Sequence, residues 1–383
     1  MPVVFLSGAV FVLYVLIGYP LLLAVLSSRK RRPLEKDRTV LRRVSVILPV
    51  RNGEPWIRSK LESIRDLNYP RELTEVLVVA NGSSDSTAAL ARAFPLENLR
   101  IFEVPRPGKA AALNLAMQEA TGEILFFTDV RQELDRDSLR ELVAAFADPS
   151  VGVVSGELMI RDGKTREETN TGLYWKYEKW IRKRQSRIDS VIGATGCIYA
   201  MRAEHARELP HETILDDVNL PLGAFFSGCR VILDESAKAY DYPTSLETEF
   251  RRKMRTQAGV YQTIGDFPAL LSPKNRMWLH FTSHKLGRLL LPWALLIVLA
   301  ASFGLPEPFR TAALAAQGAF YGLALLDVVL PERWPLKRLS SPIRTFVVMM
   351  LAALCAVSIF VLPSSVLWKE TRIAARAGSG GPA

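Results

Sequence analysis

Cysteine and histidine are scarce in this chain: three cysteines and four histidines stand among 383 residues. Cys197, Cys229 and Cys355 are scattered, without disulfide or metal-ligand spacing. His205, His211, His280 and His284 form no ligand motif either. A disulfide-stapled scaffold and a histidine–cysteine metal centre are therefore not expected. His280 and His284 are four residues apart but adjoin an apolar run, which favours a structural role. The chain also lacks a GxxxxGK loop ending in Ser or Thr, and it has no GxGxxG after its first strand-like run. That argues against a nucleoside-triphosphatase phosphate loop and a dinucleotide site. Internal repeats are absent, and the terminal GSGGPA alone has low complexity.

Long apolar runs are what the chain does have. Residues 3–26, VVFLSGAVFVLYVLIGYPLLLAVL, carry no charge. As a helix they would extend roughly 36 Å, enough to cross a bilayer. No basic residue precedes the run and no small-residue cleavage site follows it, so it reads as an anchor (1–28) and not a signal peptide. The cation-rich RKRRPLEKDRTVLRR follows, which places that side in the cytoplasm. Three further runs lie at 289–305, 311–330 and 345–362, giving a C-terminal membrane region over 286–363 with about three spans and a polar tail over 364–383. Four spans would put the basic tail outside, against the charge bias; a re-entrant or interfacial run is one way out. The net charge of +10 gathers beside these runs. It is read as orientation and contact with anionic membrane lipids, not nucleic-acid binding. The expected location is the plasma or inner membrane, multi-pass, with a cytoplasmic domain over 44–285.

Within that domain strand and helix signals take turns. VSVILPV (44–50), VLVVA (76–80), RIFEV and ILFFT read as strands; EPWIRSKLESIRDL (54–67), SDSTAALARAF and GKAAALNLAMQEA read as helices. The alternation predicts an α/β, Rossmann-like, mostly parallel sheet covered on both faces. Ligands of such sheets lie beyond the carboxyl ends of the strands. Polar groups stand there after four strands: Pro49, Arg51 and Glu54; Asn81 and Asp85; Lys109; Asp129 and Arg131. Singly, each could be loop or cap chemistry. Together, cations beside acids suit a diphosphate and a divalent metal that bridges it.

The ordered set VSVILPVRNGE, VVANGSSDST, RPGKAAALN, ILFFTDVRQ, TILDDVNLPL and RRKMR resembles the membrane-bound family 2 glycosyltransferases of the GT-A fold. The resemblance covers residues 44 to about 265. It implies a nucleotide-sugar donor, expected to be UDP-linked, and a lipid-linked or glycan acceptor in envelope polysaccharide or glycolipid synthesis. Other envelope-assembly proteins would be potential partners. Pro49, Arg51 and Glu54 would line the nucleoside, and Asn81 would stand where the family usually has a base-recognising aspartate. Lys109 would lie near the nucleotide. Asp129 would be the first acid of the DxD motif and the metal ligand for Mg²⁺ or Mn²⁺. Asp217, in the pair Asp216-Asp217, would be the general base of an inverting displacement. The plain alternative for that pair is a helix N-terminus, where acids are common.

Two departures from the family pattern stand out. Arg131 occupies the position of the second DxD acid. Either the metal is held by Asp129, diphosphate and water, or the guanidinium itself partly neutralises the diphosphate; a surface salt bridge is the bland alternative. In RRKMRTQ, Arg252 stands for the Gln of QxxRW, Arg255 fits its Arg, and Thr256 replaces its Trp. That weakens a processive polysaccharide synthase, though Arg252 and Arg255 could still hold a phosphate. Outside the enzyme class, Asn81 and Arg131 would suit a catalytically silent nucleotide-binding scaffold. The segment 173–188, with Tyr174, Trp175, Tyr177 and Trp180 among cations, suits a membrane interface, a sugar platform or a plain core helix.

Overall fold

The computed structural model describes residues 1–29, 32–105, 108–161, 166–242 and 244–362, excepting the side chains of 166–174. The polar tail and the side chain of Tyr174 lie outside the described residues. The chain divides into two compact units. One comprises Pro33–Ile160 and Ser190–Asp241; the other comprises Met1–Arg32, Arg161–Asp189 and the C-terminal region from Tyr242. Two helices expected in the cytoplasmic domain, Arg166–Ile188 and Leu246–Asp266, thus group with the apolar helices.

The first unit is built on an eight-stranded sheet. Its strands are β1 (Val44–Val50), β2 (Thr74–Asn81), β3 (Leu99–Val104), β4 (Ile124–Phe127), β5 (Glu133–Leu134), β6 (Val151–Ile160), β7 (Tyr199–Arg202) and β8 (Arg230–Asp241). Their order is β3-β2-β1-β4-β7-β6-β8-β5. β3, β2, β1 and β4 are mutually parallel; β7 runs antiparallel to both β4 and β6. β6 and β8 pair in parallel, and β5 closes the edge antiparallel to β8. The sheet is therefore parallel at its N-terminal end and mixed beyond β4.

The parallel strands are continuous apolar runs because both faces are covered. Val46, Leu48, Val78, Phe126, Phe146 and Ile198 anchor one core cluster. The helix Ile57–Arg65 buries Ile57, Lys60, Leu61 and Ile64, positions spaced to share one face. That stripe contains a lysine. The strand ends deliver Asn81 and, two residues past β4, Asp129 to the same edge of the sheet. The helices Lys109–Glu119 and Asp216–Phe226 begin there.

The second unit is helical. Among the described residues three helices are long and apolar enough to cross a membrane: Pro2–Arg29, Trp278–Ser302 and Lys337–Phe360. The run at 311–330 forms the helix Phe309–Leu326, which lies outside that set. A small core joins Tyr19, Leu23 and Ile181, with Tyr177 and Trp180 against it. His280 and His284 are part of its polar network. Tyr19 Oη lies 3.1 Å from His280 Nδ1, Gln185 Nε2 donates to Tyr19 Oη at 2.8 Å, and His284 Nε2 lies 3.3 Å from Glu178.

Candidate active site

The PVRNGE segment leaves β1 through Asn52, whose φ is +50°, a left-handed conformation that asparagine tolerates better than most residues. Gly53 follows because a Cβ there would lie 2.3 Å from a Val50 methyl. The turn is laced to the segment after β2. Asn52 N–H donates to Ser83 Oγ at 3.1 Å, and Ser84 N–H donates to Asn52 Oδ1 at 2.9 Å. Glu54 N–H donates to Asp85 Oδ2 at 3.0 Å, and Ser86 N–H donates to Glu54 Oε2 at 3.0 Å. Asp85 also accepts from the Thr87 hydroxyl and N–H. Burial works to raise its carboxyl, but these hydrogen bonds prevail and hold it below the usual range. Both Glu54 and Asp85 are thus used in fixing two loops at the sheet edge. Pro49 lies within β1, and Arg51 is exposed at its end.

Asn81 closes β2 and is buried. Its Oδ1 accepts from Gly108 N–H at 2.8 Å, which ties the end of the RPGK segment to the strand. The next residue, Lys109, opens its helix and reaches two carboxylates. Its Nζ is 3.2 Å from Asp129 Oδ1 and 3.2 Å from Asp216 Oδ2. Burial alone would lower this amine, but Asp129, Asp216 and Asp217 overcome that and hold it well above its ordinary value. Asp129 is 38% exposed while Asp216 is 8% exposed, so Asp129 is the acid offered to a ligand.

Asp217 is wrapped by the GATG segment. Ala194 N–H donates to its backbone oxygen at 2.6 Å, and a Cβ on Gly196 would lie 3.0 Å from Asp217 Oδ2. Glycine at 196 is what allows the carboxylate to sit this close to the chain. Lys109, Asp129, Asp216 and Asp217 therefore meet from three separate segments.

Arg131 turns elsewhere: its guanidinium pairs with Asp241 at the end of β8. Gln132 Nε2 donates to the same Asp241 oxygen at 2.8 Å, and that carboxylate is 4% exposed. Arg252 and Arg255 belong to the helical unit, on the helix Leu246–Asp266. There Arg252 lies 3.2 Å from Glu249 and 4.6 Å above the Trp175 ring.

Two residues at the site were not anticipated. Lys60 is 1% exposed and donates to Thr128 Oγ1 at 2.7 Å and to the Gln132 carbonyl at 2.6 Å. It thereby clamps both ends of the TDVRQ turn that carries Asp129. Burial pulls its amine down to about 7, against the opposing pull of Cys197, Asp129 and Glu133. Its place on the apolar stripe of a helix was the available signal. Tyr199, opposite Phe127 in the β4–β7 pairing, stacks on that ring at 4.6 Å and is fully buried. Burial and the carboxylates of Asp216, Asp217 and Asp129 raise its phenol well above its ordinary value.

Among the described residues no group of three or more His, Cys, Asp or Glu side chains could hold a metal by itself. The donor set still fits Mg²⁺ or Mn²⁺ in the manner in which Mg²⁺ usually binds, through one or two carboxylates completed by substrate phosphates. Asp129 is the exposed carboxylate for such a site.

Residues 45–209 match the family described as glycosyl transferase family 2. The chain carries a family 2 glycosyltransferase domain. Glycosyltransferase AglE of Haloferax volcanii is 36% identical over 30% of this chain and 39% of its own length. The beta-monoglucosyldiacylglycerol synthase of Trichormus variabilis is 25% identical over 67% of this chain and 56% of its own. An N-acetylglucosaminyltransferase of Rhizobium meliloti is 27% identical over 67% and 65%. The chain thus spans 39% to 65% of these relatives' lengths. A solved mannosyltransferase from Pyrobaculum calidifontis, in complex with GDP-Man and Mn²⁺, superposes with a TM-score of 0.73 at 26% identity. The match covers 94% of this chain and 99% of that one. The family 2 domain and its GT-A fold agree with the expectation from the sequence motifs.

Proposed function

We propose that this chain is a membrane-anchored inverting glycosyltransferase that moves a sugar from a nucleotide-sugar donor to a lipid-linked or glycan acceptor. The observation that carries this reading is the convergence of Lys109, Asp129, Asp216 and Asp217 at the strand-end edge of the family 2 domain. The lacing of the 52–54 and 81–87 segments supports a fixed wall for the nucleoside, with Pro49, Arg51 and Asn81 beside it. The solved Pyrobaculum relative supports a nucleotide-diphosphate donor and a divalent ion. The Trichormus relative, named for a glycolipid, supports a lipid acceptor.

In this mechanism Asp217 accepts the proton of the acceptor hydroxyl while its oxygen attacks the anomeric carbon. One displacement inverts the configuration and releases the nucleoside diphosphate. Lys109 holds Asp129 and Asp216 in place beside the leaving group. Asp129 would hold the divalent ion, which when bound supplies charge for the diphosphate. Three candidate spans would give the N-terminus and the tail opposite sides, with the tail cytoplasmic, in accord with its basic residues.

The test is nucleoside-diphosphate release by the purified protein from a panel of UDP- and GDP-sugars, with lipid and glycan acceptors. Release that depends on acceptor and is lost in Asp217→Asn supports the reading. Nucleotide binding without turnover of any donor would leave the silent scaffold in its place.

A further inference from the structure

The helical unit contains a partly open cavity of about 290 Å³, lined by none of the residues given a role in the proposed sugar transfer. Its walls come from all three candidate membrane helices, through Leu16, Leu291, Phe346 and Met350. An apolar cavity of even about 150 Å³ takes an apolar guest. Lys253, Gln257 and Arg288 add polar and cationic groups to the lining. Lys253 and Gln257 are one turn apart on the helix Leu246–Asp266 and so share a face. Arg288 pairs with Glu178.

Gln257 supplies the independent observation. It is 4% exposed, and its Nε2 has no hydrogen-bond partner among the described residues. A buried amide donor without an acceptor is unfavourable. Gln257 lines the cavity, so an oxygen of an occupant there would meet that need.

We propose that this cavity is a binding site for an anionic phospholipid. A hydrocarbon chain would lie between the three apolar helices, and a phosphate oxygen would be held by Lys253, Gln257 and Arg288. A zwitterionic lipid matches the walls but gains less from the cations, and a free phosphate leaves the apolar volume empty. The inference requires no sugar transfer, so it stands or falls separately from the proposed activity.

The experiment uses the full-length protein in neutral detergent without any sugar donor. Thermal stability and lipid retention by native mass spectrometry are read with dioleoyl phosphatidylglycerol, dioleoyl phosphatidylcholine or inorganic phosphate. Phosphatidylglycerol should be retained and should raise Tm; phosphatidylcholine should do so more weakly, and phosphate not at all. One cation beside a lipid phosphate should be worth roughly fivefold in affinity, so Lys253→Gln should lose about that factor and Lys253→Arg should retain it. Gln257→Leu removes the unpartnered amide, so it should stabilise the lipid-free protein yet reduce the lipid-induced rise in Tm. Leu291→Trp, which fills the cavity, should abolish retention. Equal retention of the two lipids, displacement of the lipid by inorganic phosphate, or unchanged binding in both Lys253→Gln and Leu291→Trp would overturn the proposal.

Discussion

Lys60→Met tests the clamp beneath the TDVRQ turn. Methionine keeps most of the length and apolar stem of lysine but removes both donors. Thr128 Oγ1 still donates to the Cys197 carbonyl at 2.9 Å, whereas the Gln132 carbonyl loses the Lys60 donor at 2.6 Å. An acceptor stranded in this way costs about 1–3 kcal/mol, offset in part by no longer burying an amine. The net change at one pH is therefore a weak test. Its dependence on pH is a strong one. In the folded protein the Lys60 amine titrates at about 7, while in the unfolded chain it keeps its proton up to about 10.4. Between those values the unfolded state binds more protons, so stability rises with pH. The charged form is disfavoured in the fold below pH 7, and that penalty is relieved as pH climbs.

The slope approaches about 1.4 kcal/mol per pH unit, which integrates to about 2.5 kcal/mol between pH 7.5 and 9.5. The assay is chemical unfolding of both proteins in detergent across that window, followed by tryptophan fluorescence. Tyr69 and Tyr199, whose phenols are raised, act in the opposite direction at higher pH but are common to both proteins. The difference between the two curves should therefore isolate Lys60: wild type gains on Lys60→Met as pH rises. Parallel curves would refute the reasoning and show that the amine stays protonated throughout.

Asp217→Asn should leave donor binding nearly intact and lower turnover by about 100- to 10,000-fold, since an amide cannot take the acceptor proton; single-turnover assays with radiolabelled donor check this. Arg131→Ala should destabilise the family 2 domain by at most about 3–5 kcal/mol, because the buried Asp241 carboxylate would lose its guanidinium while keeping the Gln132 amide; calorimetric UDP or GDP titration should show at most a small change. Chelation of divalent ions should abolish donor binding in wild type, measured by the same titration with EDTA and then restored Mn²⁺. Single-cysteine variants in the 35–40 segment should resist impermeant thiol reagents in intact cells, and labelling there would reverse the assigned orientation.

The parallel half of the sheet was legible because each strand is a continuous apolar run ending in turn chemistry. VSVILPV, VLVVA and ILFFT fall within or across β1, β2 and β4. The mixed half was harder to read. β5 has two residues, and β7 takes its place only by pairing antiparallel with β4 and β6, partners that lie far away in sequence. The meeting of Lys109 and Asp129 could be anticipated from the rule that ligand groups follow strand ends, whereas Asp216 entered only through the family resemblance. The partner of Arg131 could not, since Asp241 is 110 residues away. Lys60 was hidden for a different reason: a lysine on an amphipathic helix is ordinarily assigned to the solvent face, and only the spacing with Ile57, Leu61 and Ile64 contradicts that.

These pairings change the charge balance of the proposed donor site. From sequence, Lys109 and Arg131 are two cations awaiting a diphosphate. In the folded domain Lys109 already faces Asp129 and Asp216, and Arg131 is matched by Asp241. Asp217 adds a further carboxylate close enough to hold the lysine protonated. A diphosphate brought to this edge would arrive with about two negative charges and meet no uncompensated cation among these residues. In a medium less polarisable than water that repulsion is large. Arg131 is then, on the proposed reading, no substitute for a metal, because it is paired with Asp241 at the end of β8. On the proposed reading, one exposed carboxylate, Asp129, and the substrate's own oxygens would have to share a divalent ion for the donor to bind at all. On that reading, strict dependence on the ion would follow from the internal pairing of the cations, and not from a full complement of acids.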